Sequence, residues 1–314
     1  MCRIRSATDE PAMSPPPEPP AELPEVGVRV SLRYLRPPGS QPSMGDVVGH
    51  LVEAGPLVRI RSADGVIHEC RHADVLYVRR LTDRPVKNSA IRSVEHAAAL
   101  AWPGSEHQWL DGWLLRAGPG ADLATNSAVP LDMFAHTSTI PEIIDWYARR
   151  DLEPTLAVPE RLLRLPEDIP ARLETRTLVR ELTAGTLTEQ VTLTDRPGPD
   201  WPAEDSVGPL TAVVDGELMF ACTPGVAVGR GAVTEAPDGT RWLGVTALRV
   251  AEDARRQGHG RAICTALQAW GTDRGATRGY AQVPSGDTAV FAFFEAIGFA
   301  GQHRTRYLNA VDLG

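Results

Sequence analysis

Residues 248–263 read Leu-Arg-Val-Ala-Glu-Asp-Ala-Arg-Arg-Gln-Gly-His-Gly-Arg-Ala-Ile. The stretch joins a strand-like run, Thr246–Val250, to an amphipathic helical pattern that begins near Gly258. Between them stands Arg255-x-x-Gly258-x-Gly260. The glycines remove side chains where a ligand would approach the backbone and permit positive φ. Successive N–H groups that end at a helix N-terminus form an anion site, and Arg255, Arg256 and Arg261 add positive charge. No Gly-Lys-Ser/Thr follows, which excludes a P-loop, and a third glycine is missing from the dinucleotide fingerprint. A six-residue glycine pattern alone is equally a plain strand-to-helix turn, so its surroundings decide.

Working outward, 216–224, 225–236 and 240–250 alternate as antiparallel strands, with Pro237-Asp-Gly239 as a hairpin turn. A helix over 258–273, a strand over 278–284, a helix over 287–298 and a final strand or pair over 299–311 follow. The order β-β-β-α-β-α-β implies a mixed sheet with helices on its faces.

Upstream, residues 1–24 are rich in Pro, Glu, Ala and Ser and read as a disordered tail, too apolar-poor to offset chain entropy. From 25 to 82, short alternating runs broken by turns predict a small, bent β-barrel of SH3-like type. Its arginines outnumber its acids; a solvated face and docking to an acidic partner or nucleic acid both fit. After a linker at 82–88, 89–103 reads as an amphipathic helix with Ser89 as N-cap. Strand and helix runs continue over 109–118, 128–133 and 140–151 to about 185, and 197–209 is a polar, Pro-rich break.

Composition bounds the function. The 314 residues carry 42% hydrophobic and 23% charged side chains, as soluble globular chains do. No apolar run approaches the ~20 residues needed to span a bilayer, and no signal-peptide pattern opens the chain, so a cytoplasmic protein is expected. The formal charge of −8 argues against general nucleic-acid binding. The four cysteines show no metal-ligand spacing, so neither a metal site nor a disulfide framework is expected.

The runs Ala247–Val250, Arg255–Ile263, Arg278–Val283 and Phe293–Phe299 together resemble the GCN5-related N-acetyltransferase (GNAT) superfamily over about 205–310. The family's Arg/Gln-x-x-Gly-x-Gly/Ala loop, which binds the acyl-CoA pyrophosphate, is complete here. Residues 111–118, 125–131 and 143–154 resemble the first half of actinobacterial tandem members, in which a second acetyltransferase-like fold precedes the active one behind an SH3-like barrel. Some of that group are described as histone-acetyltransferase-like. The resemblance implies an α+β chain: the barrel (25–82), a degenerate GNAT-like domain (88–190) and a catalytic GNAT domain (191–314). The first half lacks the glycine loop, and where relatives carry Thr-x-Arg-Ala-Asn-Ser this chain has Asp122-Leu-Ala-Thr-Asn126-Ser127. Those residues read as turn and capping groups as readily as substrate contacts.

The resemblance further implies that Leu248, Arg249 and Val250 pair with pantetheine, with the Val250 N–H stabilising an oxyanion. Arg255, Arg256, Gln257, Gly258, His259, Gly260 and Arg261 would hold the pyrophosphate. Asp287 would cap its helix or touch the pantetheine. Phe294 stands beside the cofactor where many relatives carry a general-acid tyrosine. Phenylalanine cannot donate a proton, which leaves Tyr280, His303 and Tyr307 as candidates for proton transfer. The expected reaction is acetyl transfer from acetyl-CoA, without a metal, to a protein lysine, a protein N-terminus or a small amine. A non-catalytic acyl-CoA sensor or scaffold is the alternative.

Overall fold

The computed structural model describes residues 23–62, 64–81, 86–118, 122–166, 168–183, 191–199, 201 and 208–313. The expected tail therefore lies outside the described residues through position 22, as do linker residues 82–85 and much of the 197–209 break. The chain forms two compact units, 1–85 and 86–314.

The first unit is a five-stranded antiparallel sheet of β1 (Arg29–Leu35), β2 (Met44–Ala54), β3 (Leu57–Ser62), β4 (Ile67–Arg71) and β5 (Val75–Arg80), in the order β4-β3-β2-β1-β5. Alternation turns Val30, Leu32, Val47, Leu51, Val58, Ile60 and Val75 into one core. Among the described residues no pairing joins β4 to β5, so the strands are those expected but the sheet is open where a closed barrel was expected. Two of its arginines are neutralised on the surface: Arg33 pairs with Asp46 at 2.8 Å, and Arg59 with Glu53 and Glu69.

The second unit is built on one eleven-stranded sheet. Its elements are α1 (Asn88–Ala101), β6 (Glu106–Leu110), β7 (Trp113–Ala117), β8 (Ala128–Pro130), α2 (Ile140–Ala148), β9 (Thr155–Pro159), β10 (Leu173–Glu181), β11 (Thr192–Thr194), β12 (Gly216–Thr223), β13 (Ala227–Glu235), β14 (Arg241–Val250), α3 (His259–Asp273), β15 (Arg278–Pro284), α4 (Thr288–Ala296) and β16 (Ala300–Asn309). Lys87, not Ser89, occupies the N-cap of α1, and Ser89 lies inside the helix.

The strand order is β11-β12-β13-β14-β15-β10-β16-β9-β8-β7-β6. Two parallel pairs, β8–β9 around α2 and β14–β15 around α3, lie at matching positions on either side of the centre. The central strands are exchanged: β10 follows β9 in the chain but pairs with β15, and β16 follows β15 but pairs with β9. β10 and β16 then pair with each other. The sheet is therefore continuous across the boundary expected near residue 190.

Strand alternation sorts the side chains onto two faces. On one, α3 and α4 cover Leu178, Val233, Leu243, Val245, Ala281 and Val283. On the same face α2 covers Leu115, Ala128, Leu156 and Leu308. The opposite face belongs to α1, whose Val94, Ala97, Ala98 and Ala101 pack on Ala232, Trp242 and Tyr280. Ala99 of the same helix packs on Leu114, Val129 and Ala157. One helix thus closes the core of both ends of the sheet.

Leu178 of β10 is fully buried beneath α3 and α4. Leu178→Ala is expected to destabilise the 86–314 unit by about 3 kcal/mol in a single cooperative transition. A fragment of residues 191–314, which lacks β10, is expected to show no cooperative unfolding; calorimetry and urea melts check both.

Candidate active site

β14 ends at Val250, and a 3-10 turn over Glu252–Ala254 leads into the loop. Arg256 has φ +62° and Gly258 φ +93°, so left-handed residues alternate with Gln257 ahead of the helix. The N–H groups of residues 256–261 find no backbone acceptor among the described residues, as in loops that gather donors toward an anion. Ala262 is the first residue of the turn to find a backbone acceptor, Gly258 O at 3.0 Å, as a helix start requires. A Cβ at Gly258 would meet nothing within 4 Å, and one at Gly260 would touch the Phe293 ring at 3.4 Å. The loop thus presents an open concavity backed by the aromatic packing of α4. Arg255 leans on the Val250 carbonyl, Gln257 donates to Asp253 O at 2.9 Å, and Arg261 donates to Ala296 O at 3.1 Å. Exposed Arg256 makes no side-chain bond among the described residues.

The strand ahead of the loop is bent by a β-bulge. Val228 pairs with Arg249 and Arg230 with Thr246, so Ala247 and Leu248 together face Gly229, and Ala247 takes φ +49°. On its other side β14 pairs with β15 only at Trp242–Gly244 with Arg278–Tyr280. Past those residues the parallel strands separate, leaving a gap bordered by unpaired backbone. Ala251 N–H donates to Val226 O at 2.8 Å, toward β13. Alternation then aims the Val250 N–H the other way, into the gap.

The α1 face beside this gap carries a buried polar cluster. Glu95 of α1, 4% exposed, accepts on one oxygen, Oε1, from three strands: Thr177 Oγ1 of β10 (3.1 Å), Gln282 Nε2 of β15 (3.0 Å) and His303 Nε2 of β16 (2.8 Å). His303 Nδ1 faces Gln302 Oε1 at 2.9 Å. Burial pushes the Glu95 carboxyl up, but the His303 hydrogen bond and charge and the Thr177 hydroxyl outweigh it and hold it below its ordinary value. Arg230, fully buried, donates to the carbonyls of Leu210, Ala212 and Ala101 and to Thr246 Oγ1, and burial lowers its pKa to about 10.

Of the proton-transfer candidates, Tyr280 and His303 share this face, and burial raises the Tyr280 phenol. The Tyr280 hydroxyl lies so close under Gly244 that a Cβ there would come within 2.3 Å of it. Tyr307 lies further along the same face of β16, among Ala99, Leu114, Val129 and Ala157, its phenol pushed up to about 12 by burial. Phe294 is a core residue, in edge contact with Phe293 and Phe299 at 5.2 Å. Asp287 caps α4, its Oδ1 accepting from Val290 N–H at 3.0 Å. Leu248 packs on the core under α3, and Arg249 is exposed. In the first half, Asn126 accepts from Gly118 N–H and Ser127 binds the buried Arg116 of β7, so both serve the turn. Cys70 and Cys264 are free thiols, and burial raises the Cys264 thiol to about 12.

Glu95 and Arg230 are the residues that sequence reasoning missed. A carboxylate held below its unfolded pKa adds stability above that value, 4.5, and loses it as pH falls through the folded value. Glu95→Gln is accordingly expected to be about 3 kcal/mol less stable than the wild type near pH 7. The difference should shrink below about pH 4.5; urea melts across that range measure it.

Two family models cover most of the chain: "Probable histone acetyltransferase Rv0428c C-terminal" matches residues 88–308, and "Rv0428c N-terminal Sm-like domain" matches residues 24–79. The "Probable histone acetyltransferase Rv0428c" of Mycobacterium tuberculosis is 51% identical over 296 residues, 93% of this chain and 97% of the relative. Among solved structures, a GCN5-related N-acetyltransferase from Kribbella flavida aligns with a TM-score of 0.45 at 16% identity, over 68% of this chain and 94% of that one. A tandem GNAT protein from the clavulanic acid biosynthesis pathway aligns at 0.33 and 14%, over 52% and 65%. The chain belongs to the GCN5-related N-acetyltransferase family, in the Rv0428c group with an Sm-like N-terminal domain, and is an N-acetyltransferase.

Proposed function

We propose that the protein transfers an acetyl group from acetyl-CoA to a primary amine by direct attack of the amine nitrogen. The loop at 255–261 carries the reading. Its N–H groups, the N-terminus of α3 and the unpaired Arg256 suit a pyrophosphate, and the open space over Gly258 leaves room for one. When bound, acetyl-CoA supplies an activated carbonyl carbon and a thiolate leaving group. The N–H groups of Gln257 to Arg261 would hold the anion, the separated β14 and β15 would border the pantetheine arm, and the Val250 N–H would be the donor to the carbonyl oxygen. Positioning contributes much of the rate in such a site.

The matching placement of β8–β9 and β14–β15 supports a tandem of two acetyltransferase-like halves. The β8-to-α2 connection, residues 131–139, contains no glycine, which supports the loss of the anion loop from the first half. The N-terminal sheet is an accessory module of SH3-like or Sm-like ancestry. The name of the mycobacterial relative and the net charge of −8 favour a protein lysine as acceptor over a protein N-terminus or a small amine.

Core packing of Phe294 supplies no proton donor, which favours the non-catalytic sensor as the second reading. Calorimetry with acetyl-CoA and thiol release across a panel of amines separates the two. Wild type is expected to bind acetyl-CoA and release CoA thiol, and Arg256→Glu to weaken binding about tenfold or more. Binding with no thiol release on any amine would favour the sensor, and no binding at all would sink the site.

A further inference from the structure

Resting on that reading, we propose that Gln282 receives the acceptor amine through its side-chain carbonyl, and that Glu95 is the positioning residue that turns this carbonyl toward the gap. Gln282 stands two residues beyond Tyr280, the last β15 residue paired with β14. It lies on the α1 face at the border of the gap and is partly exposed, whereas Glu95, Thr177 and His303 around it are buried.

The orientation of its amide follows from hydrogen-bond chemistry. A carboxylate only accepts, so the Gln282 end held against Glu95 Oε1 at 3.0 Å is the NH2 group. The same nitrogen lies 3.5 Å from Thr177 Oγ1. Both contacts are on the β10 side of β15, because Glu95 Oε1 also collects Thr177 and His303 from β10 and β16. The carbonyl oxygen accepts no hydrogen bond among the described residues, and the side of β15 left open at this position is the one toward β14 and the gap. A neutral amide carbonyl there accepts an N–H of an ammonium or amine. An ammonium first gives one proton to solvent; as the neutral nitrogen then forms its bond to the acyl carbon, the C–S bond breaks with its electron pair on sulfur, one proton from nitrogen neutralises the thiolate, and the amide product keeps the remaining N–H.

The charged and titratable groups facing this cluster are Arg116 of β7, Arg230 of β13, Tyr280 of β15, and His303 and Tyr307 of β16. The His303 hydrogen bond and charge, the Thr177 hydroxyl and the Arg116 charge hold Glu95 below its ordinary value, and the ionised carboxylate is an acceptor only. In Glu95→Gln the partner can donate or accept, and Gln282 is no longer held one way round.

The test uses the full-length enzyme with acetyl-CoA and three amine probes: a lysine-containing peptide blocked at its N-terminus, a lysine-free peptide with a free N-terminus, and spermidine. Gln282→Met keeps the volume and removes the amide. It should lower kcat/KM for the best amine roughly tenfold to hundredfold while the KM and calorimetric Kd for acetyl-CoA stay within about twofold. Glu95→Gln should shift the same parameter in the same direction, by less. The Gln282 side-chain amide resonance, assigned by its loss in Gln282→Met, should move when the amine is added to wild type carrying CoA. Unchanged amine kinetics in Gln282→Met, a stationary resonance, or a parallel loss of acetyl-CoA binding would each overturn the inference while leaving the acetyltransferase reading in place. Wild type that binds acetyl-CoA yet turns over none of the probes removes the reading itself, and the inference with it.

Discussion

The exchange of β10 and β16 is the constraint on which the larger unit depends. A backbone strand in the middle of a sheet needs partners on both edges, because buried N–H and C=O groups left unpaired are costly. Here the inner partners of each half come from the other half: β10 lies between β15 and β16, and β16 between β10 and β9. The core beneath α3 and α4 uses Leu178 from the first half, and α1 covers Trp242 and Tyr280 of the second. Neither half retains a complete sheet or a complete core without its neighbour.

The same exchange assembles the polar face. Glu95, Thr177, Gln282 and His303 arrive on α1, β10, β15 and β16, two elements from each half, and converge on one carboxylate oxygen. A buried carboxylate without such partners would neutralise itself; with three donors it stays charged. Arg230 has the matching role on the other side of the gap. Its donors tie the carbonyl end of α1 and residues 210–212 to β13, so helix and loop are held to the strand that faces the bulge. The gap between β14 and β15 is thus flanked by two buried charged groups, Glu95 and Arg230, each held by several hydrogen bonds.

Much of this was legible in the sequence where the signal was local. The glycine loop, the Phe293–Phe299 run and the alternation of residues 216–250 fixed elements whose bounds the structure reproduces within a few residues. Long-range pairing was not legible: the period-2 pattern of Leu173–Glu181 marks a strand but carries nothing about which strands flank it. Barrel closure at the N-terminus was likewise an inference from strand count, which does not determine whether the edges of β4 and β5 meet. Glu95 left a readable trace, since it occupies the apolar stripe of α1 with Ile91, Val94 and Ala98, where a lone carboxylate demands partners. Those partners lie in the second half of the chain and at its end, so only the fold could name them.

The position of β16 also bears on how the chain is made. Although it lies more than a hundred residues beyond β10 in the chain, β16 is an inner strand, and β10 has neither of its partners until residues 278–309 are in place. Unpaired inner strands are templates for wrong pairing, and contacts of such sequence separation form slowly. Closure of the larger sheet therefore waits on β16, and a chain without that strand would leave β9 and β10 each with a bare inner edge.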